Sequence, residues 1–138
     1  MVDANVFVSA VMGRGASHRI LQRWLERGDF EIIACQKLLD EILRVTTTRP
    51  RVTARVDSAV ANRFIAHLTT VVGLVPDPSD VQQWTRDPDD DYLVALAREH
   101  NAEFIVSGDK DLLEWDEQVP PAIAPSDFEA ILGSAPHP

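Results

Sequence analysis

The chain has little of what would place it in several common protein classes. Cys35 is the only cysteine among 138 residues, so no internal disulfide can form, in agreement with a reducing compartment. The apolar run near the start, "VFVSAVM", is much too short to cross a bilayer, and we expect a cytoplasmic protein with no membrane contact. Neither a glycine-rich phosphate loop nor a G-x-S-x-G turn occurs, which argues against P-loop NTPases, dinucleotide-binding enzymes and serine hydrolases.

Positive charge is scarce overall but concentrated in one stretch. The formal net charge is −9, which opposes nonspecific attraction of the whole surface to nucleic acid. Residues 44–63 nevertheless contain five arginines and one acid, whereas residues 77–91 contain six acids and one arginine. This split predicts a basic strip for a phosphate backbone beside an acidic centre for cations, although solvated helix faces would give the same pattern. The candidate RNA contacts are Arg44, Arg49, Arg51 and Arg55.

The order of the apolar patterns predicts an α/β domain with a mainly parallel sheet. Short β-branched runs such as "VDANVFVSA", "FEIIA", "TTVVGLV" and "AEFIVS" alternate with helical patterns such as "SHRILQRWLERG" and "QKLLDEILRV". With 45% hydrophobic and 25% charged residues, the composition is that of an ordinary globular protein. We expect a single domain over residues 1–132 and a frayed tail over residues 133–138.

Three acids follow predicted strands or begin a predicted helix at one edge of that sheet. Asp3 lies at or near the end of the first strand, Asp91 begins a helix, and Asp109 follows the "FIVS" strand. The carboxyl ends of parallel strands point the same way, so groups placed after them meet in one crevice. Taken singly, Asp91 could be only a helix cap and Asp109 only a turn residue. Asp90 is a further candidate for the same crevice, although it could be only a loop or capping acid.

A fourth acid comes from the "QKLLDEILRV" helix, where two neighbours compete. Asp40 has Arg44 four residues later, a spacing that suits an exposed ion pair, whereas Glu41 borders the apolar stripe of the helix. We favour Glu41, although Lys37 lies four residues before it and could form a surface ion pair with it.

Carboxylates gathered in one pocket raise each other's pKa values unless a cation neutralises them. The four histidines are scattered and show no zinc-ligand spacing with the cysteine; they are His18, His67, His100 and His137. A site built from oxygen ligands alone therefore predicts Mg²⁺ or Mn²⁺, ions that keep open positions for water and phosphate.

These segments resemble the PIN-domain ribonucleases, including the toxins of VapC-type toxin–antitoxin modules. The similarity lies in "VDANVFVSA", "LLDEILRV", "DPDDDYLVALA" and "FIVSGDKDLL", in the 18-residue interval between Asp91 and Asp109, and in the tail "APSDFEAIL". That interval favours Asp91 over Asp90. The resemblance implies a three-layer α/β/α sandwich and metal-dependent cleavage of RNA by a protein that a cognate antitoxin inhibits, with a homodimer as the expected assembly.

The resemblance also implies a role for each residue of the site. Asp3, Glu41, Asp91 and Asp109 would hold the metal or its water, with Asp111 and Asp90 as possible additions to the set. Asn5 and Ser107 would orient these carboxylates. Two rival functions remain open: a catalytically weak PIN-like module that binds RNA or protein, and a phosphoacceptor domain, whose required order of aspartate and lysine is not found here.

Overall fold

The computed structural model describes residues 1–13, 15–85, 88–115 and 120–134. None of the helices in these ranges combines the length and apolar character that a membrane crossing needs. The helices are α1 (Ala4–Val11), α2 (Gly15–Arg27), α3 (Gln36–Thr48), α4 (Pro50–Thr53), α5 (Ser58–Val71), α6 (Pro88–Glu99), α7 (Lys110–Leu113) and α8 (Pro125–Ser134). The strands are β1 (Ile105–Val106) and β2 (Ala122–Ile123).

Strand β1 lies between two parallel neighbours. It pairs with β2, with Val106 opposite Ile123. On its other side Val2 forms a parallel bridge with Val106, and the main-chain N–H of Asp3 donates to the Val106 carbonyl over 3.0 Å. Because the segments are parallel, their carboxyl ends share one edge. Asp3 and Ser107, which follow Val2 and β1, therefore lie on the same edge of the sheet.

The α/β class is as predicted, but the sheet is smaller than expected. The "FEIIA" and "TTVVGLV" runs contribute a single parallel bridge, between Ala34 and Leu74, where two strands were predicted. The first residues of the second run belong to α5, which continues to Val71. Since the described residues show no broad central sheet between two helical layers, the three-layer sandwich stays a prediction.

The opening apolar run is a helix, and the prediction that it forms a strand is wrong beyond Asp3. Helix α1 begins at Ala4 and buries Val6, Phe7 and Val8. A short run that is apolar at every position fits a buried strand and a buried helix equally well, so the sequence pattern alone does not separate them. Here α1 packs against α2 and α3, and only residues 1–3 remain extended to pair with β1.

Helices α3 and α6 supply much of the core that supports this edge. Leu38 and Ile42 of α3 and Leu93 and Leu96 of α6 are fully buried. Helix α8 packs against α2. Helix α8 continues through Ser134, which is beyond the predicted start of the tail at residue 133, and residues 135–138 lie outside the described residues.

Candidate active site

Asp3 is a buried acid held between the sheet and a helix. Its side chain is only 3% exposed, and it directly precedes α1. The Ser107 hydroxyl donates a hydrogen bond of 2.8 Å to Asp3 Oδ2. The positive end of the α1 dipole also favours a negative charge at this position. Asp3 is therefore fixed in place by groups from two segments of the chain.

The environment of Asp3 works against its ionisation in the metal-free protein. Burial is the main cause that raises the pKa of this carboxyl, and the charge of Asp109 adds to the rise. The hydrogen bond from Ser107 and the amides at the start of α1 oppose the shift without cancelling it. A bound cation would act in the opposite direction, because it stabilises the charged carboxylate.

Ser107 connects Asp3 to the turn that follows β1. While its hydroxyl donates to Asp3, its Oγ accepts the main-chain N–H of Asp109 over 3.0 Å. The Asp109 carboxylate in turn accepts the main-chain N–H of Asp111 over 2.9 Å and so caps α7. Ser107 is completely buried. The "SGDKD" segment thus places Asp109 beside Asp3 and Asp111 next to Asp109.

The structure brings Asp90, Asp109 and Asp111 together, and we call these three residues the acid cluster. One carboxylate oxygen from each lies within 4.8 Å of the others. Asp90 is buried, Asp109 is half-buried and Asp111 is exposed, so the cluster runs from the interior to the surface. Carboxylate oxygens that lie this close to one another, with no other type of donor among them, suit a hard divalent cation.

The Asp91 side chain makes different contacts from that of its neighbour Asp90. Its Oδ1 accepts the main-chain N–H groups of Trp84 and Thr85 over 3.0 and 2.7 Å, and the Thr85 hydroxyl over 3.0 Å. These bonds tie the segment before α6 to the first turn of that helix. The geometry therefore favours Asp90 over Asp91 for the acid cluster, contrary to the choice made from the spacing.

Glu41 approaches the same region from α3 through a tyrosine. The Tyr92 hydroxyl donates to Glu41 Oε2 over 2.5 Å. Burial, followed by the contact with Glu41, raises the pKa of Tyr92, and the charge of Asp3 contributes to the rise. Tyr92 therefore lies within electrostatic reach of both acids. The amino group of Lys37 lies 4.5 Å from the centre of the Tyr92 ring, where a cation is attracted to the aromatic face.

The arginines that were predicted to contact RNA converge on a groove beside α1. Arg49, Arg51 and Arg55 line a cavity of about 480 Å³ together with Asn5. Arg44 is exposed on α3 and is not part of the described lining. Asn5 is exposed and follows Asp3 by two residues, so this groove begins next to the buried acid. Among the described residues, the Asn5 side chain makes no hydrogen bond to a carboxylate.

Tyr92 is the functional candidate that the sequence interpretation did not include. A signal was present, because a tyrosine directly after the "DDD" run falls on the buried side of an amphipathic helix. Buried tyrosines generally need a hydrogen-bond partner for the hydroxyl group, and an acid is a suitable acceptor. Which acid fills that role depends on the packing of α6 against α3, and that packing is not encoded in any local pattern.

A comparison with known families covers the part of the chain that carries these acids. A family model described as a PIN domain matches residues 1–111. The chain belongs to the PIN-domain family. All the candidate acids, from Asp3 to Asp111, fall within the matched range, which ends before β2 and α8. No curated protein and no solved structure matches the chain.

Family membership confirms the coarse part of the resemblance found in the sequence. PIN domains have an α/β fold, are typically metal-dependent nucleases and generally use divalent metals such as Mg²⁺. The acid cluster fits such an ion by its chemistry, since it offers oxygen ligands only. Nuclease-type function is therefore the general class to which this protein belongs.

Proposed function

We propose that this PIN-domain protein is a Mg²⁺- or Mn²⁺-dependent endoribonuclease that acts in the cytoplasm. The observation that carries the proposal is the acid cluster of Asp90, Asp109 and Asp111, which lies next to the buried carboxylate of Asp3. Like charges crowded in this way either take up protons or bind a cation, and a cation bound there would serve phosphodiester hydrolysis.

In this proposal Asp90, Asp109 and Asp111 bind the cation, and Asp3 contributes its negative charge from the interior. The cation would lower the pKa of a bound water for attack on the phosphodiester and stabilise the charge that develops on the phosphate. Ser107 positions Asp3 and Asp109 at once through its hydroxyl group. Asp91 keeps the segment at Trp84 and Thr85 close to the site.

We propose that Glu41 completes the site from α3. The Tyr92 hydroxyl occupies Glu41 Oε2, which fixes the orientation of the carboxylate. The Glu41 carboxylate then serves as the group that accepts a proton from attacking water. This arrangement separates proton transfer by Glu41 from cation binding by the acid cluster, and both tasks are needed for hydrolysis at neutral pH.

The groove of Arg49, Arg51 and Arg55 is the proposed path of the RNA backbone toward the site. Guanidinium groups bind phosphate oxygens well, and a chain with a net charge of −9 needs such a local positive region to bind RNA. Asn5 lies in the same groove and close in sequence to Asp3, so an RNA strand bound there would lead directly to the acids.

We also propose that the protein is the toxin of a type II toxin–antitoxin module, inhibited by a cognate antitoxin and assembled as a homodimer. The support for this role is the resemblance of the four acid-bearing segments and the "APSDFEAIL" tail to such toxins. Induced expression of the wild-type protein should arrest bacterial growth, whereas Asp109→Asn should not. Equal growth of both cultures at equal protein levels would contradict the toxin role.

The nuclease proposal is tested with purified protein, single-stranded RNA and Mn²⁺. We expect cleavage by the wild type, no cleavage after chelation with EDTA, and a loss of about a hundredfold or more in Asp109→Asn, because a ligand is lost from the cluster. Asp127→Asn is the matched control, since Asp127 is exposed at the start of α8. If wild type and Asp109→Asn leave the RNA equally intact, the protein is a binding module and the proposal fails.

A further inference from the structure

A second groove adjoins the acid cluster, and its chemistry differs from that of the groove lined by Arg49, Arg51 and Arg55. Its volume is about 600 Å³, and it shares Asp111 with the acid cluster. The described lining consists of two indoles, two carboxylates, an amide and a hydroxyl group: Trp84, Trp115, Asp111, Glu114, Gln83 and Thr85. We call it the tryptophan groove.

Both tryptophans are held firmly enough to serve as platforms. Each is half-buried and packs against the hydrophobic core. The main-chain N–H of Trp84 is bonded to Asp91, and the Arg98 guanidinium lies 4.8 Å from the centre of the Trp84 ring. Trp115 lies two residues after the end of α7 and four residues after Asp111. Because these rings are fixed in advance, a ligand that stacks on them loses little additional side-chain freedom.

The negative charge of the described lining of the tryptophan groove disfavours binding of a phosphate and favours an uncharged ring as the ligand. Asp111 and Glu114 are acidic, and no cationic side chain belongs to the described lining. A phosphate would be repelled there except at a cation held by the acid cluster. A nucleobase is uncharged, stacks on indole faces, and offers edge groups that Gln83 and Glu114 can bind.

From these observations we infer that the tryptophan groove binds an unpaired RNA base next to the phosphate at the acid cluster. The inference rests on the proposed nuclease function, because the position of Asp111 in both the groove and the cluster links the base to the reacting phosphate. The base must be unpaired, since a base inside a duplex has both faces covered by its neighbours. The groove would therefore restrict the enzyme to single-stranded segments.

The two grooves divide the recognition of RNA between them. Arg49, Arg51 and Arg55 attract the backbone, whereas Trp84 and Trp115 bind a base. A chain of contacts runs from Asp3, which lies two residues before Asn5 of the first groove, through Ser107 and Asp109 to Asp111 of the tryptophan groove. An RNA strand that follows this chain would place a phosphate at the acids and the adjoining base over Trp115.

The test measures binding of a short single-stranded oligoribonucleotide in Ca²⁺, compared with versions in which one position at a time lacks its base. Removing the base leaves the backbone charge unchanged, so only stacking and edge contacts are lost. For the wild type we expect one position at which base removal weakens binding roughly tenfold or more. In Trp115→Leu, which keeps an apolar side chain but no aromatic face, that dependence should disappear.

Two further variants show whether the effect belongs to the groove. Trp115→Phe should keep most of the dependence on the base, because it retains an aromatic face. Trp24→Leu is the matched control, since Trp24 is also half-buried against the core but lies on α2 and should bind like the wild type. Thermal melting of each variant checks that it is folded, and if Trp115→Leu is not, the comparison rests on Trp115→Phe and the wild type.

The inference is overturned if the wild type binds every base-free oligonucleotide as tightly as the intact one. A duplex that binds as tightly as the single strand would also overturn it. If binding depends on a base but RNA is never cleaved in Mn²⁺, the groove is retained and the nuclease proposal fails. If RNA is cleaved without any dependence on a base, the nuclease proposal stands and the tryptophan groove has another occupant, such as a peptide.

Discussion

Asp90 and Asp91 are adjacent aspartates with opposite expected effects, and exchanging each for asparagine tests the site more sharply than any other pair. Asp90 belongs to the acid cluster, whereas Asp91 holds Trp84 and Thr85 through three hydrogen bonds to one oxygen. We expect Asp90→Asn to weaken cation binding, because a carboxylate is lost from the acid cluster. Asp91→Asn should lower the intrinsic stability and leave cation binding largely intact.

The expected magnitudes follow from linkage and hydrogen-bond strengths. Mn²⁺ at a hundred times its Kd stabilises the folded state by about 2.7 kcal/mol, or roughly 10 °C in Tm for a chain of this size. A tenfold weaker Kd in Asp90→Asn reduces this gain to about 1.4 kcal/mol. Loss of the charge from three bonds at Asp91 should cost about 2 kcal/mol with or without Mn²⁺.

The assay is thermal unfolding followed by circular dichroism at several Mn²⁺ concentrations, with EDTA as the metal-free reference. Wild type and Asp91→Asn should show parallel rises in Tm with Mn²⁺, offset by the intrinsic cost of the substitution. Asp90→Asn should show a much shallower rise. The reasoning is refuted if Asp91→Asn loses the response to Mn²⁺ while Asp90→Asn keeps it, because Asp91 would then be the ligand.

Three other predictions concern the surroundings of the site. Replacing Arg49, Arg51 and Arg55 with glutamine should weaken RNA binding and reduce the slope of log K against log salt by about 2, whereas Arg63→Gln should not change this slope as strongly. Tyr92→Phe removes the hydroxyl that holds Glu41, so kcat should fall about tenfold with little change in KM, and an unchanged kcat would remove Tyr92 from the mechanism. Cys35 is buried, which raises the pKa of its thiol from the usual 9.0 to about 11, so alkylation at pH 8 should be about a hundredfold slower than in the unfolded chain. The raised pKa also determines how the free energy of unfolding depends on pH. The contribution of the protonated thiol is fully present below pH 9.0 and is lost as the pH rises toward about 11. Denaturant melts over this pH range should therefore show a smaller decline in the free energy of unfolding for Cys35→Ser than for the wild type.

The predicted helices and turns were the more accurate part of the sequence interpretation. The amphipathic pattern of "SHRILQRWLERG" corresponds to α2, which ends before Gly28, a residue with a φ of 60° that a glycine adopts without strain. The predicted "AEFIVS" strand appears as β1, although it is shorter than expected. These features depend on local conformational preferences, and such preferences are readable from neighbouring residues.

The strands of the first half were predicted less well for a physical reason. Runs such as "VFVSA" are apolar at every position except Ser9, so they carry no clear period that separates a helix from a strand. Tertiary packing of α1 against α2 and α3 resolves the ambiguity in favour of the helix. Similarly, α5 extends into the run expected to form a strand, because the residues around Val71 can continue either structure.

The sequence by itself determined that acids from distant segments would meet at the carboxyl edge of a parallel sheet, since parallel strands end on one side. It also determined the family, because the acid-bearing segments are the ones that the PIN-domain model matches. Only the tertiary structure placed Asp90, rather than Asp91, together with Asp109 and Asp111. Successive residues on a helix point about 100° apart, so the docking of α6 onto the core directs one aspartate into the cluster and the other toward the loop at Thr85.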